Sequence, residues 1–149
     1  MKKYLLILAV LILPLGFFGC DSGGDGGGGG SNERYRVEWA AFYSNYITTK
    51  TILTGLGVSY TEVTSPAGFW TYGADANTIL NYCRSVPASS FFDSGTAIGT
   101  FEELLNRTED GVSLPNNLKQ ALRANKEKMP IAAAFDAGTH GVIFYVNKY

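Results

Sequence analysis

The hydrophobic and polar positions divide this chain of 149 residues into three parts. Residues 4–18 are apolar except for one proline and one glycine, and residues 21–32 carry no large apolar side chain. Residues 33–149 mix both classes with the periods of strands and helices, and their number is close to the most common domain size. The pattern therefore predicts a leader over residues 1–19, a tether over residues 20–32 and one globular domain.

Strand-like patterns lie near both ends of the domain. In residues 34–42, aromatic and aliphatic side chains alternate with charged ones, and residues 58–63 form a shorter segment of the same kind. Residues 131–135 are apolar at every position, which is typical of a central strand. The turn-forming residues 136–141 separate this segment from residues 142–146, so the two segments predict a hairpin.

Helical periods lie between these strands. Residues 44–56 place apolar side chains on one side, although four threonines make this segment a weaker helix former. Residues 75–86 repeat apolar positions at i, i+3, i+4 and i+7, with Asp75 as the predicted N-cap. We therefore expect a helix over each segment.

Two further helices are predicted in the second half of the domain. Thr100 and Glu103 match a capping box, which starts a helix that ends near residue 106. Pro115 suits the first turn of another helix, which ends among the lysines of residues 126–128. The elements together predict an α+β fold, in which a small, mainly antiparallel sheet carries three or four helices on one face and ends in a C-terminal β-hairpin.

The leader is defined by what surrounds Cys20. Lys2 and Lys3 form a basic head, residues 4–18 follow as the apolar segment, and Gly19 directly precedes the cysteine. This order is typical of a secretory signal peptide. Because a cysteine occupies the cleavage position, the leader and tether resemble those of bacterial lipoprotein precursors, in the relaxed form found in spirochaete lipoproteins.

The resemblance implies that Cys20 becomes the mature amino terminus and carries several fatty acyl chains such as palmitate. Two or more chains hold a protein firmly on a membrane, so we expect the domain in the bacterial cell envelope, on the periplasmic or surface face. Phe17 and Phe18 differ from the leucine and small residue usual there, which leaves ordinary cleavage without lipid as a second interpretation. An uncleaved anchor is the third, although residues 4–18 are fewer than the roughly 20 that a spanning helix needs.

Charge and glycine content exclude several functions. Without Lys2 and Lys3, ten Lys and Arg stand against thirteen Asp and Glu, so the chain after the leader is mildly acidic. No basic cluster indicates a nucleic-acid interface. The glycine run follows no strand and precedes no lysine-serine pair, so it does not predict a phosphate-binding loop, and we expect no cofactor.

Cys83 carries the one catalytic hypothesis. It lacks a disulfide partner if Cys20 is lipidated, and His140 as base with Asp136 as its orienting group would complete a cysteine hydrolase. However, Cys83 lies late in a predicted helix on its apolar side, where cysteine behaves as a small hydrophobe. We favour a structural cysteine and a non-enzymatic protein, with the hydrolase as the alternative.

His140 is the only histidine of the chain. It lies in the predicted turn beside two glycines, which is typical of a solvated residue. His140 and Asp136 alone would make a weak metal site, because stable sites need three or four ligands. We therefore expect no metal site.

Phe69, Trp70 and Tyr72 form the binding candidate, because two glycines flank this aromatic segment. Rings in such a loop can stack on sugars or anchor a protein partner. The opposing interpretation is a buried edge strand or a loop over the core, and the same alternatives apply to Phe91 and Phe92. The sequence therefore predicts an envelope lipoprotein that acts as a binding or interaction module, with a protein or glycan as partner.

Overall fold

A computed structural model describes residues 33–109 and 112–149. These residues belong to one compact unit. Cys20, the predicted leader and the tether lie outside the described residues, so lipidation stays a prediction.

Short strands and helices alternate along the described part of the chain. The strands are β1 (Tyr35–Phe42), β2 (Thr61–Val63), β3 (Gly68–Tyr72), β4 (Phe91–Gly99), β5 (Thr108–Glu109), β6 (Val112–Ser113), β7 (Ile131–Asp136) and β8 (Gly141–Lys148). The α-helices are α1 (Tyr46–Gly55), α2 (Gly73–Ser85), α3 (Phe101–Leu105) and α4 (Asn116–Ala124).

Six strands form one antiparallel sheet in the order β2-β3-β7-β8-β1-β4, and β5 pairs with β6 in a separate hairpin. The predicted α+β class, the antiparallel sheet and the C-terminal hairpin of β7 and β8 are confirmed. Strands β1 and β8 lie in the interior of the sheet, whereas β2 and β4 form its two edges.

Two apolar layers cover opposite faces of the sheet. Along β7, Ala133 belongs to one layer, and Ala132 and Ala134 belong to the other. Helices α3 and α4 contribute to the first layer around Leu118 (the Leu118 layer), and α1 and α2 contribute to the second around Ile79 (the Ile79 layer). The helices thus lie on both faces rather than on the one face predicted, because both faces of the central strands are apolar and need cover.

The helix starts follow local capping chemistry. The capping box is confirmed: the Glu103 N–H donates to Thr100 Oγ1 at 3.3 Å, and the Thr100 N–H donates to Glu103 Oε2 at 2.8 Å. Helix α2 begins at Gly73, two residues before the predicted N-cap. Asp75 therefore lies in the first turn, where its charge still favours the helix dipole.

Strand β4 is not predicted by the hydrophobic pattern, because Gly95 and Gly99 interrupt it. A Cβ atom at Gly95 would lie only 2.4 Å from Cζ2 of Trp39, so the indole ring occupies the place of a side chain. Gly95, which makes β4 hard to recognise in the sequence, is therefore needed because the Trp39 ring fills the space of a side chain.

Candidate binding site

Four segments meet at one end of the sheet, opposite the end at which the chain enters β1. The Tyr43 N–H donates to the Ser90 carbonyl at 3.1 Å, which joins the end of β1 to the start of β4. The Gly141 N–H donates to the Ser44 carbonyl at 3.0 Å, which joins the β7–β8 turn to the start of α1. We call this region the Tyr43 end. Backbone hydrogen bonds thus fix the positions of these four segments relative to one another.

Three rings follow one another at the Tyr43 end. Tyr43 is 70% exposed and Phe92 is 39% exposed, and their ring centroids are 5.8 Å apart. The His140 ring meets Phe92 edge-on, with centroids 4.3 Å apart. We call these three residues the ring cluster. It leaves aromatic surface exposed at Phe92, for which the sequence allows either binding or burial, and at Tyr43, which the sequence does not single out.

His140 lies in the β7–β8 turn as predicted, but its ring is not simply solvated. Its Nδ1 atom is 2.8 Å from Thr139 Oγ1, and its Nε2 atom is buried without a hydrogen-bond partner among the described residues. The Asp136 carboxylate accepts from the Gly138 N–H at 2.7 Å, so it shapes the turn. The hydrolase hypothesis requires a hydrogen bond between Asp136 and the imidazole. No such bond exists in the described part of the chain.

A groove of about 370 Å³ opens beside Tyr43, between α1 and α2. Phe42 and Tyr82 stack within it, with ring centroids 6.1 Å apart and planes 24° apart. Burial raises the pKa of Tyr82, so its phenol stays a hydrogen-bond donor at neutral pH. We call this the Tyr43 groove, and its lining residues are uncharged: Phe42, Tyr43, Ser44, Thr49, Ile52, Tyr82 and Ser90.

The hydroxyl groups of the Tyr43 groove differ in their hydrogen bonds. Thr49 Oγ1 donates to the Asn45 carbonyl at 3.1 Å and lies 3.1 Å from Ser44 Oγ, so this pair is already engaged. The side-chain hydroxyls of Tyr43, Tyr82 and Ser90 form no hydrogen bond with another described residue. The groove therefore combines ring surfaces with hydroxyls that are free to bind a ligand.

The predicted aromatic site lies elsewhere, and most of it is buried. Phe69 is 0% exposed in the Ile79 layer, and Trp70 is 9% exposed in the Leu118 layer. Their strand, β3, is paired on both sides, so the structure favours the buried-strand interpretation of these two rings over ligand binding, with the strand inside the sheet rather than at its edge. Tyr72 is half exposed, with Lys128 Nζ 4.9 Å from its ring centroid.

Cys83 lies on the Ile79 layer, late in α2, where it is half-buried. Burial raises the pKa of its thiol to about 12, and the nearby Glu38 carboxylate acts in the same direction. That carboxylate is itself paired with Arg84 at 2.7 Å. Because the thiolate is the nucleophile, Cys83 supplies almost none at neutral pH, and this environment does not favour the hydrolase.

No protein family, curated protein or solved structure matches this chain. Within residues 33–109 and 112–149, no helix is long and apolar enough to cross a membrane. The same residues contain no group of three or more His, Cys, Asp or Glu side chains arranged to hold a metal ion.

Proposed function

We propose that this protein is a non-enzymatic lipoprotein of the bacterial cell envelope, which holds a binding domain at a membrane through lipid on Cys20. The basic head, the apolar segment, Gly19 and the glycine-rich tether support the anchor. The pKa of Cys83 and the separate hydrogen bonds of Asp136 and His140 argue against the cysteine hydrolase.

The binding role rests on one observation, which is the exposed Tyr43 ring beside an uncharged groove. Aromatic faces stack on the apolar faces of sugar rings, and free hydroxyls exchange hydrogen bonds with sugar hydroxyls. A groove without charged lining residues does not select an ionic ligand. We therefore favour a neutral glycan as the ligand. A protein partner is the alternative, because tyrosine is also common at the centres of protein interfaces.

The anchor is tested by metabolic labelling with a clickable fatty acid. Cys83→Ala is the matched control, because it removes the other cysteine of the chain. We expect label and membrane association in the wild type and in Cys83→Ala, and neither in Cys20→Ala. Equal labelling of the wild type and Cys20→Ala, or no labelling at all, would exclude the lipid.

The ligand class is tested by titrating the mature full-length protein, in detergent micelles, with neutral mono- and disaccharides. We expect Tyr43→Ala to weaken binding at least about tenfold, which corresponds to about 1.4 kcal/mol. Tyr149→Ala, which removes a tyrosine that is 73% exposed at the opposite end of the sheet, should leave the affinity unchanged. If no sugar binds but a protein crosslinks at Tyr43, the partner is a protein. If neither occurs, the binding role is wrong.

A further inference from the structure

The two edges of the six-stranded sheet differ in length. Strand β4 offers nine residues at one edge, whereas β2 offers three at the other. An edge strand exposes unpaired N–H and C=O groups that can pair with another chain, and proteins usually limit this by short strands, charges or proline.

The β2 edge carries such protection, because it is short and its Glu62 carboxylate pairs with Lys50. The β4 edge lacks lysine, arginine and proline over all nine residues. Its one charged side chain, Asp93, accepts from Trp39 Nε1 at 3.3 Å. A β-bulge interrupts the pairing with β1 at Phe92, and the register is regular from Asp93 to Gly99. These seven residues form a long, open edge whose single charge is Asp93 at one end.

The exposed side chains of this edge are small or apolar. Ser94, Thr96 and Ile98 alternate on the face of the sheet that carries the Ile79 layer, and Ile98 is 43% exposed. Gly95 and Ala97 lie on the other face. None of these five side chains would repel an identical strand.

We propose that β4 pairs antiparallel with β4 of a second copy, about a two-fold axis at Thr96. In this register Ser94 lies opposite the partner's Ile98, Gly95 opposite the partner's Ala97, and Thr96 opposite the partner's Thr96. Asp93 lies opposite the partner's Gly99, so the two carboxylates stay apart. Ser94 meets the larger Ile98, Gly95 meets the small Ala97, threonine meets threonine favourably, and no like charges face each other. The product is one continuous sheet of twice the width, with an isologous interface.

This self-complementarity favours a second copy over an extended peptide from another protein. A foreign peptide would need only backbone groups and suitable pockets along the edge. In the symmetric register, by contrast, the residues of β4 itself supply a compatible side chain at every opposing position. The inference depends on the edge alone, so it stands or falls separately from the lipid anchor and the glycan ligand.

The register is tested by a cysteine at its centre. Thr96→Cys is introduced into full-length protein that carries Cys20→Ala and Cys83→Ala, so that it is the only thiol, with Thr61→Cys on the β2 edge as the matched control. Residues directly opposite on antiparallel strands have Cα atoms about 4.5–5.5 Å apart, within the usual disulfide range. Under mild oxidation we expect a covalent dimer of Thr96→Cys and little or none of Thr61→Cys. Equal crosslinking of the two variants would overturn the proposal, because it would reflect random collision.

A second variant tests the interface without oxidation. Thr96→Lys places two lysines face to face on the axis, so the dissociation constant of the dimer should rise at least about tenfold in sedimentation experiments. Thr61→Lys should leave it unchanged. A wild-type protein that stays monomeric, or a dimer insensitive to Thr96→Lys, would overturn the proposal. Binding of a foreign peptide at β4 in place of a second copy would also overturn it.

Discussion

At the scale of single residues, the contact of Gly95 with the Trp39 indole is the tightest restriction on the edge strand. Gly95→Ala would place a Cβ atom 2.4 Å from the ring, so Trp39 must move. We expect a loss of about 1–3 kcal/mol in the free energy of unfolding, as for other overpacked sites. Urea denaturation followed by tryptophan fluorescence measures this loss.

Gly55 supplies the control for this substitution. A Cβ atom there would meet nothing within 4 Å, and Gly55 lies at the end of α1. We expect Gly55→Ala to be neutral or to stabilise by up to about 1 kcal/mol, because alanine restricts the unfolded chain. If the two variants unfold at the same urea concentration, the indole does not restrict position 95.

Cys83 gives a prediction about reactivity. The ordinary pKa is 9.0 and burial raises it to about 12, so at pH 8 the folded thiol should react with a disulfide reagent about a thousandfold more slowly than the unfolded thiol. The measurement uses Cys20→Ala, in which Cys83 is the only thiol. Native and urea-unfolded rates within tenfold of each other would contradict the buried environment.

The raised pKa of Cys83 also determines how the stability of the folded state changes with pH. Between pH 9.0 and about 12 the unfolded chain loses the Cys83 proton while the folded chain keeps it, so the folded state loses stability as the pH rises. We expect the wild type to lose stability relative to Cys83→Ala as the pH rises over this range. Thermal unfolding at pH 8 and pH 10 measures the change, and an opposite sign would exclude it.

The sequence predicts some of these residues well and others not at all. The spacing of α2 places Cys83 among apolar side chains, and the structure agrees. Tyr43 follows the predicted strand directly, and nothing in its neighbours shows that helices and turns leave its ring uncovered. Phe69 and Trp70 look exposed from their glycine neighbours but are buried, because distant segments of the chain build the layers that cover them.

At the scale of elements, α3 depends on its capping box because it has only five residues. Thr100→Ala should lower the free energy of unfolding by about 1 kcal/mol at pH 7, the usual effect of losing such a cap. Thr78→Ala is the control, because Thr78 lies inside α2, where alanine is a better helix former. Equal destabilisation by both substitutions would contradict the role of the cap.

The capping box also has a pH dependence with a definite sign. The hydrogen bond from the Thr100 backbone N–H lowers the pKa of Glu103 below 4.5. Its contribution is therefore present above pH 4.5 and disappears as the pH falls through the lowered pKa. Consequently, the gap in stability between the wild type and Glu103→Ala should narrow as the pH falls below 4.5, and a gap that widens there would contradict this assignment.

Most elements can be predicted from local patterns, and the exceptions have a common cause. The central strand, the hairpin and the capping box carry their signals within a few residues. Strand β4 does not, because Gly95 is explained only by Trp39, which lies on β1 far along the chain. The sequence therefore shows β1, β7 and β8 more clearly than β4.

At the scale of the whole molecule, the sheet couples the Leu118 layer to the Ile79 layer. Ile79→Ala should cost about 2–5 kcal/mol through the cavity it leaves. Trp39 and Trp70, the two tryptophans, pack on the opposite Leu118 layer. If the domain unfolds in one step, the unfolding midpoints of Ile79→Ala by tryptophan fluorescence and by far-UV circular dichroism must both shift to the same lower urea concentration.

The control for this prediction is Ile47→Ala on α1, whose side chain is 75% exposed. We expect it to change the stability by no more than about 0.5 kcal/mol. A fluorescence midpoint that stays in place while the circular dichroism midpoint falls would show that the layers unfold separately. The placement of helices on both faces of the sheet can be recognised only in the whole molecule, because local periodicity does not show which face a helix covers.

The order of the strands also determines when the sheet can form during synthesis. Strand β1 is made first, yet it lies between β4 and β8, and β8 ends at Lys148. The nascent chain must therefore leave the ribosome almost to its last described residue before the middle of the sheet can close. Until then β1 lacks one of its two neighbouring strands, so the complete six-stranded sheet forms only late in synthesis.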